Sequence, residues 1–470
     1  MAARATARAW QVETHGADPV PPDDRGERPR DLFWVWFACN LAITGLVLGA
    51  AVMSYGLSLF QGILALVGLL SFALIGWFAV PGARHGIPTM VLSRVSFGTR
   101  GNVLPSLASW ANLVGWETVV LVIATYALEA AFRAAFGMPS SPVVLILALF
   151  VVMVVAFSVA YLGHATLVRV QTVFSYLFGG LTVVVAAVLW PHIDWARLTH
   201  LPSGSWSHAF LPAISIVIAG SGLSWVNTAA DYTRYLKSDT PSLRIVGSSL
   251  WGSVIPAAAI MLLGILLYGS LPGLATATNP IGLLQGELPA VLAVPYLLTA
   301  VGSMVTGDIM DIYSSGLSLL AAEVRLPRAR TVFVDAVVSV GASLYILLVA
   351  QDFIGSFESF LSLLAGVLAP WAAIYLLDQR RLANPALPVA ELYRGAASRF
   401  GAWRWPALIA WGAGLLVSLA LTWTPLWSGP LAVGVFHGSD LGFLVGFGVS
   451  FVVYGLWGHR RPQGAETLAL

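Results

Sequence analysis

The chain has 470 residues, of which 58% are apolar and only 10% charged. Soluble domains carry about 25% charged residues, so this composition excludes a water-facing globule and, at this length, a string of soluble domains. A formal net charge of +2 gives no footprint for a nucleic-acid partner, and a single cysteine excludes an internal disulfide framework or a cysteine-based zinc site. The chain reads as a polytopic, all-α membrane protein.

Each helical crossing needs about 20 predominantly apolar residues. On that basis the sequence predicts twelve, at 32–54, 57–80, 104–133, 142–162, 165–190, 209–230, 244–271, 290–321, 332–350, 354–377, 405–424 and 440–458. Residues 1–30 end in PVPPDDRGERPR, lack the apolar core of a signal peptide, and read as a disordered cytoplasmic tail; 461–470 reads as a second tail. Of the 24 Lys and Arg residues, only Arg133 and Arg197 fall in loops opposite the termini. The positive-inside rule therefore predicts a multi-pass protein of the cell membrane with both termini in the cytoplasm.

Spans one and six carry glycines at places suited to a break. Span one has Thr44-Gly45 and Gly49; span six has Ala219-Gly220-Ser221-Gly222-Leu223-Ser224. Small residues of this kind also serve close helix packing. Their spacing, five spans apart, matches two inverted five-helix repeats, 31–190 and 205–380, followed by two extra helices within 400–460. Such a repeat places a substrate site at the midplane, where unwound backbone offers carbonyls and amides.

Ionisable groups inside spans are functional suspects because hydrocarbon does not solvate them. Glu129, Asp335 and Glu358 lie nearer helix ends, where snorkelling or a helix-terminus interaction satisfies them. Asp308 and Asp311, in VTGDIMDIYSSG, share a helix face at i and i+3 deep in span eight. They form either a polar packing seam or a cation or proton site, with Gly302 and Thr306 on the same side. A carboxyl at membrane depth can carry a proton, and an ionised one can ligate sodium.

Trp116 and Glu117 follow Gly115 in span three, and Trp225 with Asn227 follows the suspected break in span six. Two indoles with nearby amides and a carboxylate suit a flat, polar heterocycle that stacks on its faces and hydrogen-bonds on its edges. No nucleophile–base pair, metal-ligand spacing or Walker loop appears, so no enzyme, cofactor or ATP-driven chemistry is expected.

The stretch GARHGIPTMVLSRVSFG, with Gly86, Pro88, Arg94, Phe97 and Gly98, resembles a motif of the nucleobase–cation symport family, the first of two such families. That family includes cytosine, purine, allantoin and hydantoin permeases. The resemblance continues through NLVGWE, SWVNTAADYTRY, the Asp/Tyr/Ser/Gly segment of span eight and FESFLSLLAGVLAPWAAIYLLD, covering residues 30–380. It implies a leucine-transporter type of fold with ten core helices plus two. It implies that Trp116 and Trp225 sandwich a ring, with Asn40, Glu117 and Asp311 nearest its edges. A sodium site would use first-helix carbonyls and the Thr306 hydroxyl, although Val305 stands where a second hydroxyl is expected. Glu117 likewise departs from the hydantoin-permease pattern, which has an uncharged residue there.

These readings predict a monomeric secondary active symporter that imports a nucleobase or related flat heterocycle with H+ or Na+ as coupling cation. Hydroxymethylpyrimidine, allantoin or hydantoin carriage and an uncoupled facilitator are the alternatives. Arg94 is either a positive-inside anchor or one half of a gating ion pair with Asp231.

Overall fold

The computed structural model describes residues 15–434 and 442–458, apart from 163, 278, 325 and 351–352. Their secondary structure is helical, with only isolated β-bridges. The first span is a bent pair, α1 (Pro29–Asn40) and α2 (Thr44–Ser54), meeting at 60°. Among the described residues, nine further helices are long and apolar enough to cross a membrane. They are α3 (Leu59–His85), α4 (Val103–Phe136), α5 (Pro142–Tyr161), α6 (Val170–His192), α7 (Trp206–Thr228), α8 (Ser242–Leu267), α9 (Ala290–Ala321), α10 (Arg330–Ala350) and α11 (Gly355–Leu377). Two shorter apolar helices follow, α12 (Trp405–Leu421) and α13 (Gly442–Trp457).

Both expected breaks are present, but the first is displaced. The chain leaves helical geometry at Leu41–Ile43, ahead of Thr44-Gly45. Gly49 lies inside α2, where a Cβ would run into the Met261 carbonyl of α8, and Gly264 of α8 faces the Leu46 carbonyl in the same way. These two glycines let α2 and α8 approach backbone to backbone, so packing rather than unwinding explains them. In α7 the break falls at Ser221 (φ −121°, ψ −111°), between the two glycines. The Gly222 amide there donates to Ser71 Oγ at 3.1 Å, which satisfies a group the interrupted helix has freed.

The motif around Arg94 has a structural explanation. Gly86 ends α3 in the left-handed region (φ +71°) and its amide donates back to the Gly82 carbonyl at 2.7 Å. Pro88 then precedes the short helix Thr89–Leu92.

Residues 15–28, expected in a disordered tail, are instead packed across this turn; residues 1–14 lie outside the described part. The Val20 amide donates to the Gly86 carbonyl at 2.9 Å, and Arg25 Nη2 donates to the His85 carbonyl at 2.9 Å. Arg234 Nη1 reaches the Gly16 carbonyl at 2.7 Å, and the Tyr393 hydroxyl reaches the Ala17 carbonyl at 2.8 Å. Composition did not reveal this because the partners, the carbonyls of His85 and Gly86 and the side chains of Arg234 and Tyr393, are far away in sequence.

Candidate substrate site

A cavity of about 80 Å³ lies where the two broken spans meet. Asn40, Ala42, Thr44 and Gly45 line it from the first break, and Gly220 and Ser221 from the second. Trp116 of α4, Trp225 of α7, Asp311 of α9 and Phe357 of α11 complete the wall. The volume is well below the roughly 300–1,000 Å³ of pockets for drug-sized ligands, so the site suits one small ring rather than a nucleoside. A larger groove of about 830 Å³ between α1, α6 and α8 contains none of the expected site residues.

The two indoles are held from outside. Trp225 meets Trp36 edge-on, with centroids 5.6 Å apart and planes at 86°. Trp116 meets Phe357 at 5.9 Å and Phe360 at 5.8 Å, both near perpendicular. Such edge contacts fix ring orientation by quadrupole complementarity. Asn40 closes the end of α1 by donating Nδ2 to the Trp36 carbonyl at 2.9 Å, which leaves its side-chain oxygen as an acceptor. Asp311 is buried, and its Oδ1 has no hydrogen-bond partner among the described residues.

Glu117 and Asn227, expected at the ring edge, do not line the cavity. Asn227 ties α7 to α4 instead: its Nδ2 donates to Ser109 Oγ at 2.8 Å, and its Oδ1 accepts from Asn112 Nδ2 at 3.3 Å. Glu117 is fully buried at the α4–α9 side, facing Asp308, Asp311 and Ser315. Helical geometry explains the split, because consecutive residues point about 100° apart and Trp116 already occupies the cavity side.

The expected coupling residues also separate. The Ser303 hydroxyl donates to the Leu41 carbonyl at the first break, and the Thr306 hydroxyl donates to the Ser303 carbonyl at 2.7 Å. Gly302 is a packing position, since a Cβ there would overlap the Phe174 ring of α6. Asp308 is fully buried and neither carboxyl oxygen has a hydrogen-bond partner among the described residues. No group of three or more His, Cys, Asp or Glu there could hold a metal ion.

The Arg94–Asp231 ion pair is not formed. Arg94 donates to the carbonyls of Leu392 at 2.9 Å and Ala321 at 3.0 Å, and its guanidinium lies over the Tyr393 ring at 5.8 Å. Asp231 Oδ1 accepts from the Thr89 amide at 2.9 Å and the Thr89 hydroxyl at 3.1 Å. A planar guanidinium can bridge two carbonyls on different elements, and that geometry outcompetes the charge pair here.

Residues 19–446 match the family described as permease for cytosine/purines, uracil, thiamine, allantoin. The chain belongs to this permease family. A putative purine-cytosine permease of Bacillus subtilis is 27% identical over 457 residues, covering 94% of this chain and 95% of that protein. A purine-cytosine permease of Saccharomyces cerevisiae is 24% identical over 480 residues, covering 95% and 85%. A hydantoin permease of Microbacterium maritypicum is 24% identical, covering 85% and 83%. Among solved structures, Mhp1, a nucleobase-cation-symport-1 family transporter in a closed conformation with bromovinylhydantoin bound, superimposes with a TM-score of 0.72 at 19% identity, covering 93% of each chain. A Na+-coupled sialic acid symporter gives 0.63 at 14% identity, covering 96% of this chain and 92% of that one. This permease therefore has the fold of these transporters, and transport rather than catalysis is the family's activity.

Sequence reasoning missed several residues of this permease's site. Phe357 and Phe360, at i and i+3 in FESF, could have been read as a ring-bracing pair. Ser303 on Leu41 and Trp110 on Asp335 carried no local signal.

Proposed function

We propose that this permease is a secondary active symporter that takes up a nucleobase or related flat heterocycle with a coupling cation by alternating access. One observation carries the reading: a small cavity between two helix breaks, walled by two braced indoles and a carboxylate with an unsatisfied oxygen. In this reading Trp116 and Trp225 sandwich the ring, and Asp311 and the Asn40 oxygen accept from its N–H groups. The two acceptors favour rings rich in N–H or amino donors, such as cytosine and the aminopurines. The Na+-coupled sialic acid symporter of the same fold supports cation coupling as a class.

On this reading α12 and α13 complete twelve spans, the broken helices mark two inverted five-helix repeats, and the monomer sits in the cell membrane with both termini cytoplasmic. The test is uptake of labelled cytosine, adenine, hypoxanthine, allantoin and hydantoin into proteoliposomes under imposed H+ or Na+ gradients. Accumulation above the external concentration supports symport; mere equilibration supports the facilitator. The absence of saturable uptake for every ring overturns both.

A further inference from the structure

Behind the cavity wall, α4 packs extensively on α9, and four acidic side chains gather about this pair. Glu117 of α4 lies within electrostatic reach of Asp308 and Asp311 of α9 and of Asp335 of α10. Their surroundings differ sharply. Asp335 accepts from Trp110 Nε1 at 2.7 Å and from Ser315 Oγ at 2.8 Å. Asp311 lines the cavity. Glu117 and Asp308 do neither: both are 0% exposed, outside the cavity wall, and none of their four carboxyl oxygens has a hydrogen-bond partner among the described residues.

The charged groups around them are few. The α5 sequence from Pro142 to Tyr161 contains no Asp, Glu, Lys or Arg. On α6 the nearby polar group is Gln171, whose Nε2 donates to the Thr306 carbonyl at 3.3 Å. Cys39 of α1 stands beside Asp311. Arginine pairs among the described residues lie elsewhere, including Glu129–Arg133 near the end of α4 and Asp378–Arg381 beyond α11. Two ionised carboxylates buried within electrostatic reach of one another without a cation are strongly disfavoured, and proton uptake is the available relief.

We propose that Glu117 and Asp308 form a proton-carrying site at membrane depth, separate from the substrate cavity but joined to it through Trp116, one residue away, and Asp311, one turn away. The inference rests on the symport reading and assigns its coupling ion. A proton from water on one side bonds to a carboxyl oxygen of the pair. After the gates exchange, that O–H bond breaks and the proton passes to water on the other side. No electron transfer or co-reactant is involved. Movement of Trp116 on ring binding shifts α4 against α9, so the loading of the pair and of the cavity are linked.

The experiment uses full-length protein in proteoliposomes with labelled cytosine as probe, comparing wild type, Glu117→Gln and Asp308→Asn. Two readouts are taken: exchange of cytosine against internal cytosine without any gradient, and accumulation under an imposed pH gradient without sodium. One pH unit supports about tenfold accumulation for one-to-one coupling. The expected result is tenfold accumulation in wild type and equilibration to about onefold in either variant, with exchange persisting. Variants that exchange and still accumulate tenfold overturn the proton site and leave the symport reading standing. No exchange in wild type overturns the symport reading and this inference together. Should the variants fail to fold, wild type alone decides. Downhill cytosine entry must alkalinise the outer medium, read with an external pH dye, and entry without alkalinisation overturns the proposal.

Discussion

The hydroxyl of Ser303 in the middle of α9 donates to the main-chain carbonyl of Leu41, the residue at which the first span breaks. The two are 262 residues apart in sequence. A carbonyl freed by a helix break and buried in an apolar surround needs a donor, and this serine provides it. Ser303→Ala leaves that acceptor unsatisfied, at a cost of about 1–3 kcal/mol. The expected outcome is a lower melting temperature in detergent together with weaker ring binding. An unchanged melting temperature would show that water replaces the hydroxyl and that the break is not held by α9.

The braced indoles make a second prediction. Trp116→Ala or Trp225→Ala removes one stacking face and should weaken binding of the transported ring by about 1–3 kcal/mol, by analogy with base–aromatic stacking. Trp→Phe should recover part of the loss at each position. Affinity is measured by titration on folded, monodisperse protein, so that a packing defect appears in yield or melting temperature instead. Retained affinity in both alanine variants would remove the sandwich.

On the proposed reading, Asp311 selects which edge of a ring the cavity prefers. Asp311→Asn replaces an acceptor oxygen with an amide donor at a site where Oδ1 has no partner. Rings that present N–H groups to it should lose about 1–3 kcal/mol of affinity, while rings that present a carbonyl there should lose less. Competition of cytosine, uracil and hypoxanthine against one labelled probe reads the change in rank order. A uniform loss across all rings would place Asp311 outside direct recognition.

Arg94 and Asp231 should behave as independent residues. Arg94→Lys breaks the bridge between the Leu392 and Ala321 carbonyls, because an ammonium lacks the planar fork. Asp231→Asn disturbs the bonds from Thr89 and the interactions with Ser314 and Arg234. The stability losses of the two single variants should add in the double variant to within about 0.5 kcal/mol. A larger coupling energy would restore the ion pair.

Cys39 is the only cysteine in the chain and lines the cavity. Alkylation by a small maleimide should proceed in wild type when the cavity opens, and should slow in the presence of a transported ring. Labelling that ignores every ring would separate the cavity from the transport path.

The membrane class, the helix positions and the family were legible in the residues because they depend on local quantities. A run of about 20 apolar residues is a candidate crossing by its own length and composition. The glycine–serine cluster of span six was equally readable, and the chain breaks within it at Ser221. Trp116, Trp225 and Asp311 were named from their helices and Asn40 from the family resemblance, and the four line one cavity. The local pattern failed wherever a partner from another helix chose the outcome. Gly49 packs against Met261 instead of unwinding its helix, Asn227 turns to Ser109, and Glu117 turns away from the ring toward Asp308. Arg94 selects two carbonyls over Asp231, and residues 15–28 lie against the loops they were expected to leave free. The sequence by itself determined which segments are apolar enough to cross a membrane and which residues are candidates for the site. Only the tertiary structure decided which side of each helix faces the cavity, because rotation about a helix axis is set by the packing of its neighbours and not by its own residues.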